Sequence, residues 1–580
     1  MEADRKALIV AELLESLPDR SVVIDADSME AYRRDRAQDP NAGMPLAVVR
    51  ATSTEDVQTV LRIAAREQIA IIPRGAGSGL SGGSTAVDGA IVVSLERMRD
   101  ITIDPTMRMA VVQPGAFNAE VKAAASEHGL WYPPDPSSYE FCSIGGNIAT
   151  NAGGLCCVKY GVTTDYVLGL TVVLADGRAV KLGGPRLKDV AGLSLTKLFV
   201  GSEGTLGIVT EAVLRLVPAQ RTPTTLVAMF PTVAGAIQAV VDIKAAMRPS
   251  MLEFMDQVTI NAVEDVTRME LDRTAAAMLI VQSDEPAEVA TAQIEQIEQL
   301  CGLNGASEVY ATSDPDESEA LIEARRIAIP CVEKRGALLL EDVGAPLPRL
   351  GDLLEGVRAI AENRGVEIAV VAHAGDGNTH PLIVFDPADA DQKARAEVAF
   401  GEVMDLAIAL GGTITGEHGV GRLKQPWLAD YLGDDVLELN LRIKKALDPQ
   451  NILNPGAMFG QLCGLTPSCR SSRCVSRPVA RGFGQGDWSD HDEQQEASHP
   501  GAGRPKARAG RQDARRRRGR RRGVSGARRV RADVLPVAEP VRRPEGRRRE
   551  ASQGAREAER HSEAAAGRSG AGEGRAEGVG

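Results

Sequence analysis

Three of the seven histidines in this 580-residue chain fall in two short motifs whose spacing could do chemistry. His373 and His380 bracket Ala374-Gly375-Asp376-Gly377-Asn378-Thr379, six residues mostly of turn-forming type, between an apolar run ending near Ala372 and another from Pro381 to Phe385. That pattern predicts a hairpin loop with one imidazole at each mouth. Gly416-Glu417-His418-Gly419-Val420-Gly421, after an expected strand from Gly412 to Thr415, sets a carboxylate beside another histidine. Two His and one Glu with an open position would suit Zn²⁺, Mn²⁺ or Fe²⁺. A lone histidine in a turn more often satisfies a carbonyl, but two glycine-bracketed motifs together argue for a site.

A second kind of chemistry is suggested by glycine. Pro73-Arg74-Gly75-Ala76-Gly77-Ser78-Gly79-Leu80-Ser81-Gly82-Gly83 follows the apolar strand Ile69 to Ile72 and holds five glycines in eleven positions. Such a backbone can lie close to a ligand and aim several N–H groups at an anion such as a pyrophosphate. Gly77 to Gly82 reads GxGxxG, and Glu96 lies where a dinucleotide-binding βαβ unit keeps its ribose-binding acid. The seven residues Gly83 to Gly89 before the next strand, Ala90 to Ser94, are too few for a crossover helix, which argues against that unit. Two further small-residue stretches follow: Ser143-Ile144-Gly145-Gly146-Asn147-Ile148-Ala149-Thr150-Asn151-Ala152-Gly153-Gly154, preceded by Tyr132-Pro133-Pro134-Asp135-Pro136, and Gly201 to Thr210. Glycine loops so close together imply one long ligand with a flat ring system.

The elements that must position these groups are partly readable. A leading helix spans Lys6 to Ser16, and Leu46 to Arg50 reads as a strand. Thr52 to Gln68 reads as a helix with Thr52-x-x-Glu55 as its capping box and Val57, Val60, Leu61 and Ala64 on one face. Short strands are expected at 90–95 and 108–113, then a helix near 118–128 with His128 at its end, where a cation suits the dipole. Residues 221–310 alternate strand and helix: Thr225 to Phe230, 232–246, Ser250 to Met255, 257–268, Ala276 to Gln282 and 287–300. This reads as a ferredoxin-like α+β cap. Strands at Ala337 to Asp342 and Glu367 to Val371, with helices near 348–364 and 388–409, continue it.

PRGAGSGLSGG, PPDPSS, SIGGNIATNAGG, KYG and GSEGTLGIVT, in this order and spacing, resemble the FAD-binding domain of the vanillyl-alcohol oxidase/p-cresol methylhydroxylase superfamily over about residues 40–220. The resemblance implies an α+β fold: an N-terminal helix and extension over 1–40, a two-subdomain FAD-binding domain over 41–220, and a ferredoxin-like substrate and cap domain over 221–460. It implies FAD contacts at Gly75, Ala76, Gly77, Ser78, Gly79, Pro134, Asp135, Ser138, Gly145, Gly146, Asn147, Ile208 and Val209. Some relatives attach the flavin through a loop histidine; Ser78 stands in that place here, so FAD is expected to be non-covalent.

The histidine motifs, with Glu341-Asp342-Val343, Glu253-Phe254-Met255-Asp256 and the closing Leu447 to Gly456, are similar to the C-terminal domain of FAD-linked 2-hydroxy-acid dehydrogenases, a group that includes the FAD subunit of glycolate oxidase. D-lactate and D-2-hydroxyglutarate dehydrogenases belong to the same group. The resemblance then covers nearly all of 1–460. It implies His373, His380 and Glu417 as ligands of a divalent metal, Zn most of all, His418 as catalytic base, and Arg325 as the clamp on the substrate carboxylate. Taken by itself, an Arg on a helix is more often a solvated surface charge. Leu340 falls where the hydroxyglutarate enzymes place a lysine, which favours a small monocarboxylate such as glycolate or lactate. The implied partners are a small 2-hydroxy acid and an external electron acceptor, such as flavin and iron–sulfur partner subunits.

Composition bounds the remaining classes. Residues 461–580 hold 27 Lys and Arg against 15 Asp and Glu, while residues 1–460 carry a net charge of −24. The tail lacks Ile, Asn, Met and Tyr and has one Lys against 26 Arg, so it cannot bury a core and reads as disordered. Its composition looks like GC-rich DNA translated out of frame, and the other reading is a basic tail that binds nucleic acid. Eight cysteines without CxxC or iron–sulfur spacing build no redox centre. Without a signal peptide or an 18-residue apolar run, the chain is expected to be soluble and cytoplasmic.

Overall fold

A computed structural model of the chain describes residues 2–37 and 39–460, all of which fall in one compact unit. The Arg-rich tail, and with it the expectation of disorder or nucleic-acid binding, lies outside the described residues. Strands Ala47–Arg50 and Ile71–Arg74 both run parallel to Ile91–Ser94, and Val22–Val23 pairs antiparallel with the first of them. Their alternate apolar side chains meet Val57, Val60, Leu61 and Ala64 of helix Thr54–Glu67 and Ile9 and Leu13 of the leading helix Glu2–Ser16. Residues 75–90, which join two adjacent parallel strands, contain no helix, and this excludes the βαβ dinucleotide unit that the GxGxxG letters imitate.

The helix cap falls one residue later than expected. Ser53, not Thr52, is the N-cap, and its reciprocal partner is Asp56, not Glu55. Asp56 Oδ2 accepts from Thr52 Oγ1 at 2.7 Å and from the Thr52 and Ser53 N–H groups, which the neighbouring Glu55 does not do. A second, antiparallel sheet orders Ile101–Asp104, Met109–Val112, Ile208–Arg215, Val167–Val173 and Ala179–Gly183. One face buries Ala110, Val112, Leu170, Val172, Ala212 and Leu214 under helix Asn118–Ser126. His128 is exposed just past that helix.

The third sheet carries the chemistry. Its strands lie in the order Glu308–Thr312, Thr224–Phe230, Ala277–Ser283, Met251–Asp256, Glu367–His373, Asn378–Phe385 and Ala337–Leu340, with Val343–Gly344 also paired to Asn378–Phe385. Period-2 alternation divides the strand side chains between two cores. Leu226, Ala228 and Phe230 pack under helices Val233–Ala246, Ala287–Leu303, Leu350–Arg364 and Ala390–Ala409. Val227 and Met229 face helices Gln257–Thr267 and Ala328–Glu333. The strand and helix pattern expected for residues 221–300 matches within a few residues.

The histidine hairpin differs in one respect from its expected form. His373 pairs with Asn378, so the turn is only Ala374 to Gly377, and His380 lies inside its strand opposite Val371 rather than at the mouth. Because side chains alternate, Asn378 and His380 share a face, and so do Val371 and His373. The two imidazoles are therefore diagonal neighbours on one face. The strand expected at Gly412 to Thr415 is a single bridge between Thr413 and Gly344.

The last described segment returns to the first sheet. Ile71 N–H donates to Ile452 O at 2.7 Å and Asn454 N–H to Ile71 O at 2.8 Å, so Leu453 lies beside the free edge of strand Ile71–Arg74. Buried Lys444 fixes the segment by donating to Thr205 O and Leu453 O, each at 2.8 Å, and to Asp448. Among the described residues no helix is long and apolar enough to cross a membrane.

Candidate active site

The expected second glycine loop is in fact helical over Ile144–Thr150, despite two glycines in its first turn. Ser143 makes this possible as N-cap: its Oγ accepts from Gly146 N at 3.3 Å and from Ala76 N at 3.2 Å, tying the first loop to the helix end. A Cβ on Gly75 would stand 2.3 Å from that same Oγ, so the junction tolerates only glycine. Gly77 has φ +72°, and a Cβ there would lie 2.1 Å from Nη2 of buried Arg74. Arg74 props the loop from below, donating to Arg34 O at 3.0 Å.

These loops wall a cavity of about 300 Å³. Gly75, Ala76, Gly77, Ser78, Gly79, Ser138, Gly145, Gly146, Asn147, Ile208 and Val209 all line it. Pro134 and Asp135 are not among its lining residues. Pro134 O accepts from Asn118 Nδ2, which also donates to Asn147 Oδ1, each at 3.1 Å. Asp135 Oδ1 accepts from Cys156 N at 3.1 Å, and burial raises its pKa. Both stand one layer behind the wall and support it. The amount of glycine backbone and the N-terminus of helix Ile144–Thr150 on this wall fit a pyrophosphate-bearing cofactor.

The same cavity reaches Arg325, His380, Glu417 and His418. His373 Nε2 and His380 Nε2 lie 3.3 and 3.2 Å from Glu417 Oε1. Bonds of about 2.0–2.1 Å to a tetrahedral ion require ligand atoms about 3.3 Å apart, so the donor set fits a divalent cation with one position open. The outward nitrogens point the same way. His373 Nδ1 is 2.9 Å from both Glu253 oxygens, and His380 Nδ1 is 3.8 Å from Asp342 Oδ1. The carboxylate behind His373 fixes the tautomer that offers its Nε2 to a metal, while buried His380 Nδ1 makes no hydrogen bond. Asp342, His380 and His418 form a second converging group.

The charges of this cluster follow from burial against pairing. Burial alone would raise Glu417, but His373 and His380 hold it well below the ordinary carboxylate range. Burial would lower His373, yet Glu253 and Glu417 raise it well above the usual value. His418 goes the other way: burial, helped by electrostatic repulsion from His380, pushes it to about 4 although Asp342 opposes; the two rings stack with centroids 4.9 Å apart. It is neutral at pH 7 and can accept a proton. Arg325, only 2% exposed, is no solvated charge; its Nη2 lies 2.8 Å from Glu253 Oε2, while Nε and Nη2 make no hydrogen bond.

Three acids that sequence reasoning left without a role hold this arrangement. Asp342 Oδ2 accepts from Thr415 Oγ1 at 2.7 Å and from the N–H groups of Gly416, Glu417 and His418 at 3.0, 3.0 and 2.8 Å. Burial would raise Asp342, but His418, Lys424 and His380 hold it well below its usual value. Glu203, from the Gly201 to Thr210 stretch, accepts from Val420 and Gly421 N–H, both at 2.7 Å, and burial lifts it to about 7. Glu253 joins Arg325 to His373. The adjacency of Glu341 and Asp342 to a strand end was the available signal for one of them. Leu340 packs against the second core of the third sheet and is not among the residues lining the cavity.

Residues 219–458 match the family described as FAD linked oxidases, C-terminal domain, and residues 45–183 match the FAD binding domain family. The chain is 43% identical over 421 residues to the glycolate oxidase subunit GlcD of Bacillus subtilis, covering 72% of this chain and 90% of that protein. It is 35% identical over 441 residues to a D-lactate dehydrogenase of Archaeoglobus fulgidus, covering 75% and 96%. Among solved structures, p-cresol methylhydroxylase with substrate bound superimposes with a TM-score of 0.69 at 19% identity, over 79% of this chain and 97% of that one. The 4-ethylphenol oxidase of Gulosibacter chungangensis gives 0.67 at 21% identity, over 79% and 98%.

Proposed function

The chain belongs to the FAD-linked oxidases and is an FAD-dependent oxidoreductase, and from that premise we propose that it oxidises a small 2-hydroxy acid, glycolate or D-lactate, to the 2-oxo acid. The observation that carries this reading is one cavity that joins the glycine walls to the histidine cluster. Residues 41–220 would hold FAD, non-covalently because Ser78 offers no imidazole, and residues 221–460 the substrate and a divalent cation, Zn²⁺, on His373, His380 and Glu417. FAD supplies a two-electron acceptor and the cation a Lewis acid that acidifies the hydroxyl.

The remaining work falls to this chain's side chains. Arg325, whose buried Nε makes no hydrogen bond, reaches the cavity and binds and orients the carboxylate. His418 turns Nδ1 toward Asp342, 4.0 Å away, which leaves Nε2 to take the hydroxyl proton. Its low pKa keeps it neutral and ready at pH 7. Asp342 and Glu203 fix the loop that carries His418 and Glu417, so base and ligand stay in register. The relative named as a glycolate oxidase subunit supports delivery of electrons to partner proteins.

The test is to purify the chain, record its flavin spectrum, and follow anaerobic bleaching and dye reduction with glycolate, D-lactate, L-lactate and D-2-hydroxyglutarate, before and after a chelator. Bleaching by glycolate or D-lactate that falls in chelator and returns with Zn²⁺ is expected. Bleaching by none of the four would refute the substrate class, and full activity with no retained metal would refute the cation.

A further inference from the structure

Glu253 is a buried acid that lines neither the cavity nor the expected ligand set. It sits on strand Met251–Asp256, whose partner strand carries His373, and is 1% exposed. Both oxygens lie 2.9 Å from His373 Nδ1, and Oε2 also lies 2.8 Å from Arg325 Nη2. Arg325, Glu253, His373 and Glu417 thus form a continuous row from the cavity wall to the ligand cluster, buried except at half-buried Glu417. A buried charge needs a matched partner, and one carboxylate here meets a guanidinium and an imidazole at once.

We propose that Glu253 is a positioning residue that sets His373 as a metal ligand and, through the same carboxylate, couples cation affinity to what occupies Arg325. This rests on the reading of His373, His380 and Glu417 as a cation site. Accepting the Nδ1–H of His373 fixes the tautomer and makes Nε2 more basic. Arg325 competes for the same carboxylate. Glu253 keeps both oxygens 2.9 Å from His373 Nδ1 while it meets Arg325, so an anion seated on Arg325 takes up part of the guanidinium's charge and leaves more of the carboxylate's to His373; carboxylate binding and cation binding then favour each other reciprocally. Removing Glu253 should weaken the cation, whereas removing the competing guanidinium should not.

The experiment needs no turnover. The full-length flavoprotein, stripped by a chelator and desalted, is titrated with Zn²⁺ against a chromogenic competitor, with the flavin spectrum recorded throughout. Glu253→Gln is expected to weaken Zn²⁺ binding about 10- to 100-fold with flavin retained. Arg325→Gln is expected to keep wild-type affinity or to tighten it. Affinity within about twofold of wild type in Glu253→Gln, or an equal loss in both variants, overturns the proposal. Should Glu253→Gln fail to retain flavin, the double variant with Arg325→Gln removes both buried charges and must show the same Zn²⁺ loss; wild-type affinity there overturns it. Absence of Zn²⁺ binding by the wild-type protein overturns the cation reading itself, a result separate from any effect of Glu253.

Discussion

Asp342→Asn isolates what one charge contributes to the loop that carries the base. In the native chain Oδ2 gathers four donors, three of them successive backbone N–H groups of Gly416, Glu417 and His418. A hydrogen bond to a charged group contributes about 1.5–3 kcal/mol and a neutral one about 0.5–1.5. The amide can keep its oxygen on the loop, so the loss is the excess of about 1 kcal/mol per bond, and about 2–4 kcal/mol in all after allowing for non-additivity. At about 1.4 kcal/mol per factor of ten, a loop freed by that amount would slow flavin reduction about 30- to 900-fold. The pH sign is definite. Asp342 is depressed when folded, so its contribution is complete above the unfolded value near 4 and is lost only as pH falls toward the lower folded value. The wild-type to variant ratio should therefore be flat from pH 6 to 8. Stopped-flow bleaching by the hydroxy acid that reduces the wild-type flavin measures it. Reduction within threefold of wild type, with FAD content unchanged, would refute the anchoring role.

His418→Asn should cut flavin reduction by about 10²–10⁴ while FAD stays bound, since only the proton acceptor is removed; anaerobic spectra separate the two. Gly77→Ala places a Cβ at φ +72° against Arg74, at about 1–2 kcal/mol for the backbone alone, and FAD retained after dialysis should fall at least about fivefold. Glu203 has a raised folded value, so the folded state binds its proton more tightly and stability falls as pH rises from about 4.5 to about 7. Between pH 5 and 8 this amounts to about 2–3 kcal/mol in denaturant melts, and Glu203→Gln should lack that slope. Equal slopes in both proteins would contradict the assignment.

Much of the third sheet was legible because each strand alternates between two cores, and each helix shows one apolar face, as at Val227 against Ala228. The histidine motifs were legible as clusters of ligand types, and pairing parity then placed both rings on one face. What stayed hidden was long-range. Nothing near Glu203 announces a partner more than 200 residues away, and Ser143 looks like any turn serine until its hydroxyl is found between two loops. Helix Ile144–Thr150 was masked by glycine, whose low propensity is offset by a cap and by packing. Asp342 and Thr52 show the limit at close range, since adjacent polar residues compete for one cap or anchor and only geometry selects between them.

The strand that launches the first glycine loop is an edge, and it is closed by Leu453, about 380 residues further along the chain. At about 5–20 residues per second, the ribosome would release that partner roughly 20–80 s after Ile71 is made. During that interval the nascent chain carries an open β edge, a liability for pairing with other chains, beside a loop that still lacks its Asn454 contact at Gly83 O. Cofactor capture is therefore expected to be complete only once residues 444–454 have been made.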